Sequence, residues 1–482
     1  EYEEYLSLYP DGEGADRVRQ RLAALGTARD APPDAPRSES GLNADGLRLQ
    51  TFASVSQFYR HLEDVDAPDA PDGSVADLSM LSSNVDVTSR LSGRRYDLAG
   101  QFAGQFDKDF ADDGPGDEKR VTALFLEGAD RPRGLSASFG RQPRSTDGVL
   151  GRFDGGVVSY QVLRKLRLNA LAGFPVEFGA FDEIDTNRYF YGGSVDIGTL
   201  FNHLDLNLYA INQLVQGEVD RRAVGGEARY FHPRGTAFSL LDYDVWFRQV
   251  NIFDATGTLF FSNGATANVV LDYRKTPFLT TSNALLGQSE GTSIDELRKT
   301  LSGNELRERA QDNTGTFRFA SVGGTHPIGE RFQVGGDFSV SKFTGTVPVL
   351  EDDFPIIDVG GTEFAYLGTV TGRNLVFRGT IATFSVRYSD ASGQDRLAFL
   401  FDSTVPVAGV WRIGPRLRTD YRWFAGDRRR VAISPTIRLE NRWMKRVTLE
   451  IEAGLEWSDE FGPMSGGQDI AFVGLAGYRF DY

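Results

Sequence analysis

The chain contains no cysteine, and only three methionines and four histidines, in 482 residues. Without cysteine there are no disulfide staples, zinc ribbons or thiol chemistry, and such a chain suits an oxidising compartment. Long hydrophobic runs are missing as well. No stretch of about 20 apolar residues occurs, which excludes membrane-spanning helices. Positive charge is in deficit, with 52 Lys and Arg against 67 Asp and Glu and a net charge of −15; this argues against a nucleic-acid partner. What is present instead is glycine, 54 residues or about 11% where an average chain has roughly 7%. Aromatic rings reach 12%, led by 35 Phe, more than a disordered chain carries. These proportions describe a large Gly- and aromatic-rich β protein.

The first residues differ from the rest. Over 1–28, Tyr2, Tyr5, Leu6 and Tyr9 share one helical face, Pro10-Asp11-Gly12 makes a turn, and Val18, Leu22 and Leu25 share a second face. The segment YEEYLSLYPDGEGADRVRQRLAAL resembles the closing end of a tetratricopeptide-type array. A short amphipathic hairpin of no special type explains the same residues equally well. One repeat cannot bury its own apolar face, and the chain begins at Glu1 without Met or signal peptide. A processed or truncated product is therefore expected, with further repeats in the missing part. Residues 29–45, within a stretch rich in Pro, Ser and Asp, read as a linker.

From residue 46 to 482 the hydrophobic period is two. In 447–457, Val447, Leu449, Ile451, Ala453, Leu455 and Trp457 alternate with Thr448, Glu450, Glu452, Gly454 and Glu456. The stretches 431–443 and 411–423 repeat the pattern. A strand with one apolar and one polar face fits either a soluble sandwich or an outer-membrane barrel. Three features favour the barrel. Trp411, Trp423, Trp443 and Trp457 sit at strand ends, small residues are scattered on both faces, and short and long connections alternate. The short ones fall at 92–95, 164–165, 202–203, 232–235, 263–264, 326–331 and 444–446. The long ones fall at 63–77, 111–119, 178–187, 346–361, 389–395 and 458–468. The fold class predicted is all-β: a transmembrane antiparallel β-barrel of about 22 strands. Pairing is weakest near 246–261, where a count of 20 stays open. An even count puts both chain ends in the periplasm of a Gram-negative bacterium.

The last strand presents Phe472, Gly474, Ala476, Tyr478, Phe480 and Tyr482 on one face. GLAGYRFDY resembles the C-terminal assembly signal of bacterial outer-membrane proteins, with Gly474, Tyr478, Phe480 and Tyr482 carrying the likeness. The resemblance implies the barrel-assembly machinery as a partner, beside outer-membrane lipid and lipopolysaccharide. Periplasmic protein partners are expected through the N-terminal repeats.

Little in the sequence suggests catalysis, and neither a metal site nor a cofactor is expected. His61, His203, His232 and His326 fall at strand ends or turns without metal-ligand spacing. A hydrolase would need one of them beside a serine, with His61 the candidate near the outer rim. The run GVLGRFDGG from Gly148 lacks the Lys-Ser/Thr of a phosphate loop. The acidic stretch 64–73 lacks EF-hand spacing. Arg428, Arg429 and Arg430 are loop cations able to meet lipopolysaccharide phosphates.

The inward faces of the last strands are more informative. Arg412, Arg416, Arg418, Arg422, Arg438 and Arg442 are predicted to line the lumen beside Glu440, Glu450, Glu452 and Glu456. They either tune solute selectivity or pair with one another and hold the wall. One insertion, 276–313, is not β: Ser293 and Glu296 form a capping-box pattern, and a second amphipathic run covers 305–310. A long helical loop is a candidate constriction or plug, with the 27–43 linker as the second candidate.

Three functions stand. The first is a channel or exporter with a charged lumen, gated or plugged by a loop. The second is a non-conducting anchor for a periplasmic repeat scaffold or envelope complex, and the third an enzyme acting on lipid. The architecture resembles exporters of exopolysaccharide, in which tetratricopeptide repeats precede a C-terminal barrel, and also an uncharacterised group of tetratricopeptide outer-membrane proteins. A TonB-dependent transporter needs a globular plug of well over about 100 residues, more than the 45 that precede the first strand.

Overall fold

Each of 22 strands hydrogen-bonds antiparallel to the next in sequence, and the last returns to pair with the first. The sheet is therefore a closed barrel. The computed structural model describes residues 47–64, 75–111, 114, 116–176, 184–289, 291–345, 361–443, 446–462 and 467–482. The expected helical hairpin, the linker and the acidic stretch from 65 lie outside the described residues.

The first strands are β1 (Arg48–Asp64), β2 (Val75–Ser92), β3 (Tyr96–Asp109), β4 (Glu118–Asp130), β5 (Leu135–Arg144), β6 (Gly151–Leu163) and β7 (Leu166–Val176). Then come β8 (Arg188–Leu200), β9 (Leu204–Val215), β10 (Glu218–His232), β11 (Gly235–Asp244), β12 (Gln249–Phe260) and β13 (Thr266–Thr276). After an insert follow β14 (Gly315–Ile328), β15 (Phe332–Thr344), β16 (Thr362–Arg373), β17 (Ile381–Ala391) and β18 (Gln394–Ala408). The ring closes with β19 (Trp411–Phe424), β20 (Arg429–Trp443), β21 (Val447–Phe461) and β22 (Gln468–Asp481). In the region around 246–261, β12 pairs with both β11 and β13, with one bulge opposite Asp242 and Tyr243, so the count is 22 and not 20.

The period of two separates two surfaces. On one, Ile413 faces Leu439, Leu439 faces Ile451 and Ile451 faces Ala476. On the other, Arg412 faces Glu440 and Arg438 faces Glu452. The apolar surface is the outer one: Phe139 is 75% exposed and Leu126 72%. Leaving such side chains in water would forfeit about 25 cal/mol for every Å² of apolar area.

Both chain ends of the barrel lie at one rim, where Tyr482 and Ala53 exchange backbone hydrogen bonds. Connections at that rim are tight, from 164–165 to 374–380. The opposite rim carries the longer ones, including 177–187, 277–314 and 345–361, but four connections there are short. The loop expected over 389–395 is one of these: Asp390 pairs with Asp395 and Ala391 with Gln394, leaving the turn 392–393. Gly393 takes φ +97, a backbone state open to glycine that permits a two-residue hairpin where polar composition suggested a loop. The loop expected over 458–468 shrinks likewise, because β21 runs on to Phe461 and Asp459 pairs with Gln468.

Candidate functional site: the barrel lumen

The inner wall has two unlike halves. From β6 to β13 it is thickened by two connections that fold against it. From β17 to β21 it is bare sheet bearing arginines and carboxylates.

The first thickening is the connection 145–150. Asp147 is 2% exposed and accepts hydrogen bonds from Ser194 Oγ at 2.5 Å and Asn207 Nδ2 at 2.6 Å. Arg144 forms an ion pair with it. Burial acts to raise the Asp147 carboxyl, but the Arg144 guanidinium and the two donors outweigh it and hold the group below the ordinary carboxylate range. Arg221 Nη1 donates to Gly148 O at 3.0 Å. Val149 enters an apolar cluster with Phe153, Val157, Leu171, Phe190 and Ile211, in which Phe153 and Phe190 meet edge to face at 5.3 Å. The glycine-rich stretch at Gly148 thus acts as a packing element. Its contacts are with strands 47 and 60 residues away, out of reach of local pattern. The Asp147-Gly148 pair, both at positive φ, was the available signal.

The second thickening is the insert 277–314. It contains a short 3-10 helix (Thr281–Leu285), α1 (Ile294–Leu297) and α2 (Gly303–Asp312). Ser293 with Glu296 and Ser302 with Glu305 each form a reciprocal capping box, which satisfies otherwise orphaned N–H groups. The Ser302 N–H lowers the Glu305 carboxyl. Leu279, Ala284, Ile294, Leu297, Leu306 and Ala310 bury themselves against Val215 and Phe247.

A bulge on β10 anchors this insert. The register shifts between Val219 and Arg221, and Asp220 and Arg221 are both buried. Asp220 accepts from Arg188 Nε at 2.7 Å, Gln213 Nε2 at 2.6 Å, and the Ser282 N–H and hydroxyl at 2.8 Å each. Thr281 donates to Val219 O, Leu279 N–H to Asn251 Oδ1, and Asp295 N–H to Gln216 Oε1. These partners belong to the wall from β8 to β12.

Across from this half lie the ten charges read from the sequence, on even-numbered inward positions. Arg416 reaches Asp402 at 2.8 Å and Glu452 at 3.3 Å. Arg438 reaches Glu452 at 3.0 Å and Glu450 at 3.3 Å. Arg412 meets Glu440 at 3.4 Å. Arg422 and Arg396 converge on Asp420, with Arg418 at 3.5 Å. Glu456 accepts from Ser434 Oγ at 2.9 Å and lies 3.8 Å from Arg430. Arg430, expected to be a loop cation, is thus an inward strand residue. Arg418 is about half exposed, and Arg442 is exposed at the rim of the chain ends. Asp402, Asp420 and Arg396, which organise this network, were missed because each is isolated in its own strand.

Under the inward loop, toward the rim of the chain ends, a recess of about 340 Å³ is lined by Lys165, Arg167, Asp196, Asn207, Glu227 and Arg229. Glu227 Oε1 and Asn207 Oδ1 are buried there without a hydrogen-bond partner.

The histidines form no hydrolase-like pair with serine among the described residues. His61 lies on the outward face, bonded to Glu63 at 3.2 Å and stacked near Tyr59. Ser79, its cross-strand neighbour, is bonded to the Tyr59 hydroxyl instead. His203 and His232 bring their rings within 5.2 Å at the rim of the chain ends.

The C-terminal face lies outward on β22. Tyr478 donates to Gln57 Oε1 at 3.1 Å, while Phe480 faces Val55 and Gly474 faces His61 across the closing seam. Tyr482 is about half exposed, with Arg446 over its ring.

No family model and no curated protein matches this chain. Among solved structures it is similar to Acinetobacter baumannii OccAB1, at 10% identity and a TM-score of 0.42 over 93% of this chain and 100% of that one. It is also similar to Pseudomonas aeruginosa OccK2 (OpdF), at 9% identity and a TM-score of 0.41 over 90% and 98%. The outer membrane protein OprD of Pseudomonas aeruginosa aligns at 8% identity and a TM-score of 0.38, over 89% and 94%.

Proposed function

We propose that the chain is an outer-membrane channel of a Gram-negative bacterium, passing small polar solutes along its charged inner wall. The observation that carries this reading is the division of surfaces on one closed sheet. The outside is apolar, with side chains such as Phe139 and Leu126 uncovered; the inside is polar and charged from β17 to β21. Lipid is the solvent that makes such an exterior stable, and water is the solvent that makes such an interior stable. A ring of 22 strands is wide enough that something must narrow it if passage is to be selective.

In this reading the rim of the chain ends is periplasmic and the rim of longer connections faces the cell exterior. The insert 277–314 and the loop 145–150 narrow the lumen from one side. Solutes then move between that thickened half and the arginine-carboxylate half, whose partly exposed Arg418 and Arg442 are available to them.

The direct test is reconstitution in a planar bilayer. Discrete conductance steps with an ion preference support the channel. A folded, inserted protein that gives no steps leaves the non-conducting anchor as the function.

A further inference from the structure

On the outer surface, a group of three cations on neighbouring strands has no carboxylate partner among the described residues. Toward the exterior rim, the outward residues of β13, β14 and β15 run in register from Val269, Val322 and Phe338, through Leu271, Ala320 and Val340, to Tyr273, Arg318 and Lys342. One row further, Lys275 faces Thr316 and its Nζ donates to the Thr316 hydroxyl at 3.1 Å. The Arg318 guanidinium lies over the Tyr273 ring at 5.8 Å. Arg318 and Lys342 stand directly opposite each other, an arrangement of like charges that destabilises a sheet unless an anion joins them.

Among the described residues, no carboxylate lies within ion-pair distance of Lys275, Arg318 or Lys342. The acids of the packed strands are committed or apart. Asp272 points inward, bonded to Arg274, and Glu363 points inward beneath the Ser341 hydroxyl. Asp390 faces outward on β17, opposite Phe364 and two strands from Lys342. At the other rim, Arg131 is paired with Asp97 and Arg133 with Asp130.

We propose that Lys275, Arg318 and Lys342 bind the phosphates of an outer-leaflet glycolipid carrying two phosphomonoesters, with Tyr273 and Thr316 at the edge of the site. The proposal rests on the reading of the barrel as membrane-embedded. The three cations sit where the outward apolar rows end, the level at which lipid headgroups begin. Guanidinium and ammonium groups supply charge-assisted donors to phosphate oxygens, and a lipid whose chains lie on the apolar rows below is held there while a free phosphate is not. Three cations match a headgroup with several negative charges better than a singly charged phosphodiester.

The test is native mass spectrometry of the full chain in nanodiscs, with lipid A, phosphatidylglycerol or inorganic phosphate as the probe. The wild type is expected to retain lipid A in preference to phosphatidylglycerol, and to ignore inorganic phosphate. The triple variant Lys275→Gln, Arg318→Gln, Lys342→Gln is expected to lose retention by about tenfold or more, since each charge-assisted contact is worth about that factor. A control pair at the other rim, Arg331→Gln with Arg378→Gln, is expected to leave retention unchanged. Equal retention by triple variant and wild type overturns the site, and equal retention of phosphatidylglycerol overturns the glycolipid. Gel mobility with and without heating, and conductance, separate the two readings: a barrel that inserts and conducts but shows no preference sinks this site alone. One that never inserts sinks the channel reading as well.

Discussion

Asp220 and Ser282 lie 62 residues apart in sequence and meet through two hydrogen bonds of 2.8 Å, the serine N–H and hydroxyl both donating to one carboxylate oxygen. The second oxygen takes Arg188 and Gln213. One fully buried carboxylate on a strand bulge thus holds a 38-residue connection, 277–314, against the wall.

Replacing Asp220 by Ala is expected to release the insert. It removes four donated bonds, one of them a charge-assisted bond from the mostly buried Arg188 guanidinium, a loss on the order of 3–5 kcal/mol. Asp220→Asn, which keeps the shape and one acceptor oxygen for the two Ser282 bonds, should cost less. Limited proteolysis reads the effect: cleavage within 289–311 should accelerate in Asp220→Ala and much less in Asp220→Asn. Equal resistance in both variants and wild type would show that apolar packing alone seats the insert.

The arginine wall makes a graded prediction. Arg418 is about half exposed and its contact with Asp420 is a loose 3.5 Å, whereas Arg438 contacts both Glu450 and Glu452. Reversing Arg418 to Glu should move the zero-current potential of a salt gradient toward cation preference, with little loss of stability, because exposed pairs are worth about 0–1 kcal/mol. Reversing Arg438 to Glu crowds three carboxylates and should instead lower thermal stability. Zero-current potentials in bilayers, with melting followed on the same samples, check both. An unshifted potential in Arg418→Glu would mean that this wall is structural.

How far the sequence foretold this arrangement depended on what each side chain faces. From β19 to β22 the two solvents differ at every step along the strand, so Trp411 to Trp457 and Arg412 to Glu456 announce their faces locally. On β9 the signal blurs: Tyr209, Ile211 and Val215 face inward yet are buried, because folded-in connections give the interior a small apolar core. No local pattern reports that. The capping residues of the insert were legible because Ser293 and Glu296 act within one turn, while the docking site at Asp220 was not, because it depends on a one-residue bulge. Asp147 likewise reads as a turn residue until Ser194 and Asn207 are brought beside it.

Acid should loosen the loop 145–150. Asp147 is held below the ordinary carboxylate range in the folded protein, so its charge stabilises the fold above the unfolded carboxyl value, about pH 3.9, and that stabilisation is lost as pH falls through the lower folded value. Asp147→Asn mimics the protonated state at neutral pH and should remove the acid dependence attributable to this site. Melting temperature against pH, compared between wild type and variant, reads it directly. Parallel curves below pH 4 would place the acid sensitivity elsewhere.

The passage itself is tested by shortening the insert. Removing 289–311 deletes α1 and α2, with Ile294 and Leu306 that bury against Phe247, while leaving the 3-10 helix and its Asp220 anchor in place. Because the partners that seat α1 and α2 lie on the β9–β12 wall, the strand ladder should survive, as heat-resistant gel mobility would show. Single-channel conductance is expected to rise and discrimination between ions to fall, since the widened passage weakens the field of Arg416 and Arg418 at its centre by screening over roughly 8–10 Å. Unchanged conductance in a folded barrel would place the helices over the rim of the wall rather than in the path. Narrowing would then fall to the loop 145–150, which the Asp147→Asn variant perturbs independently.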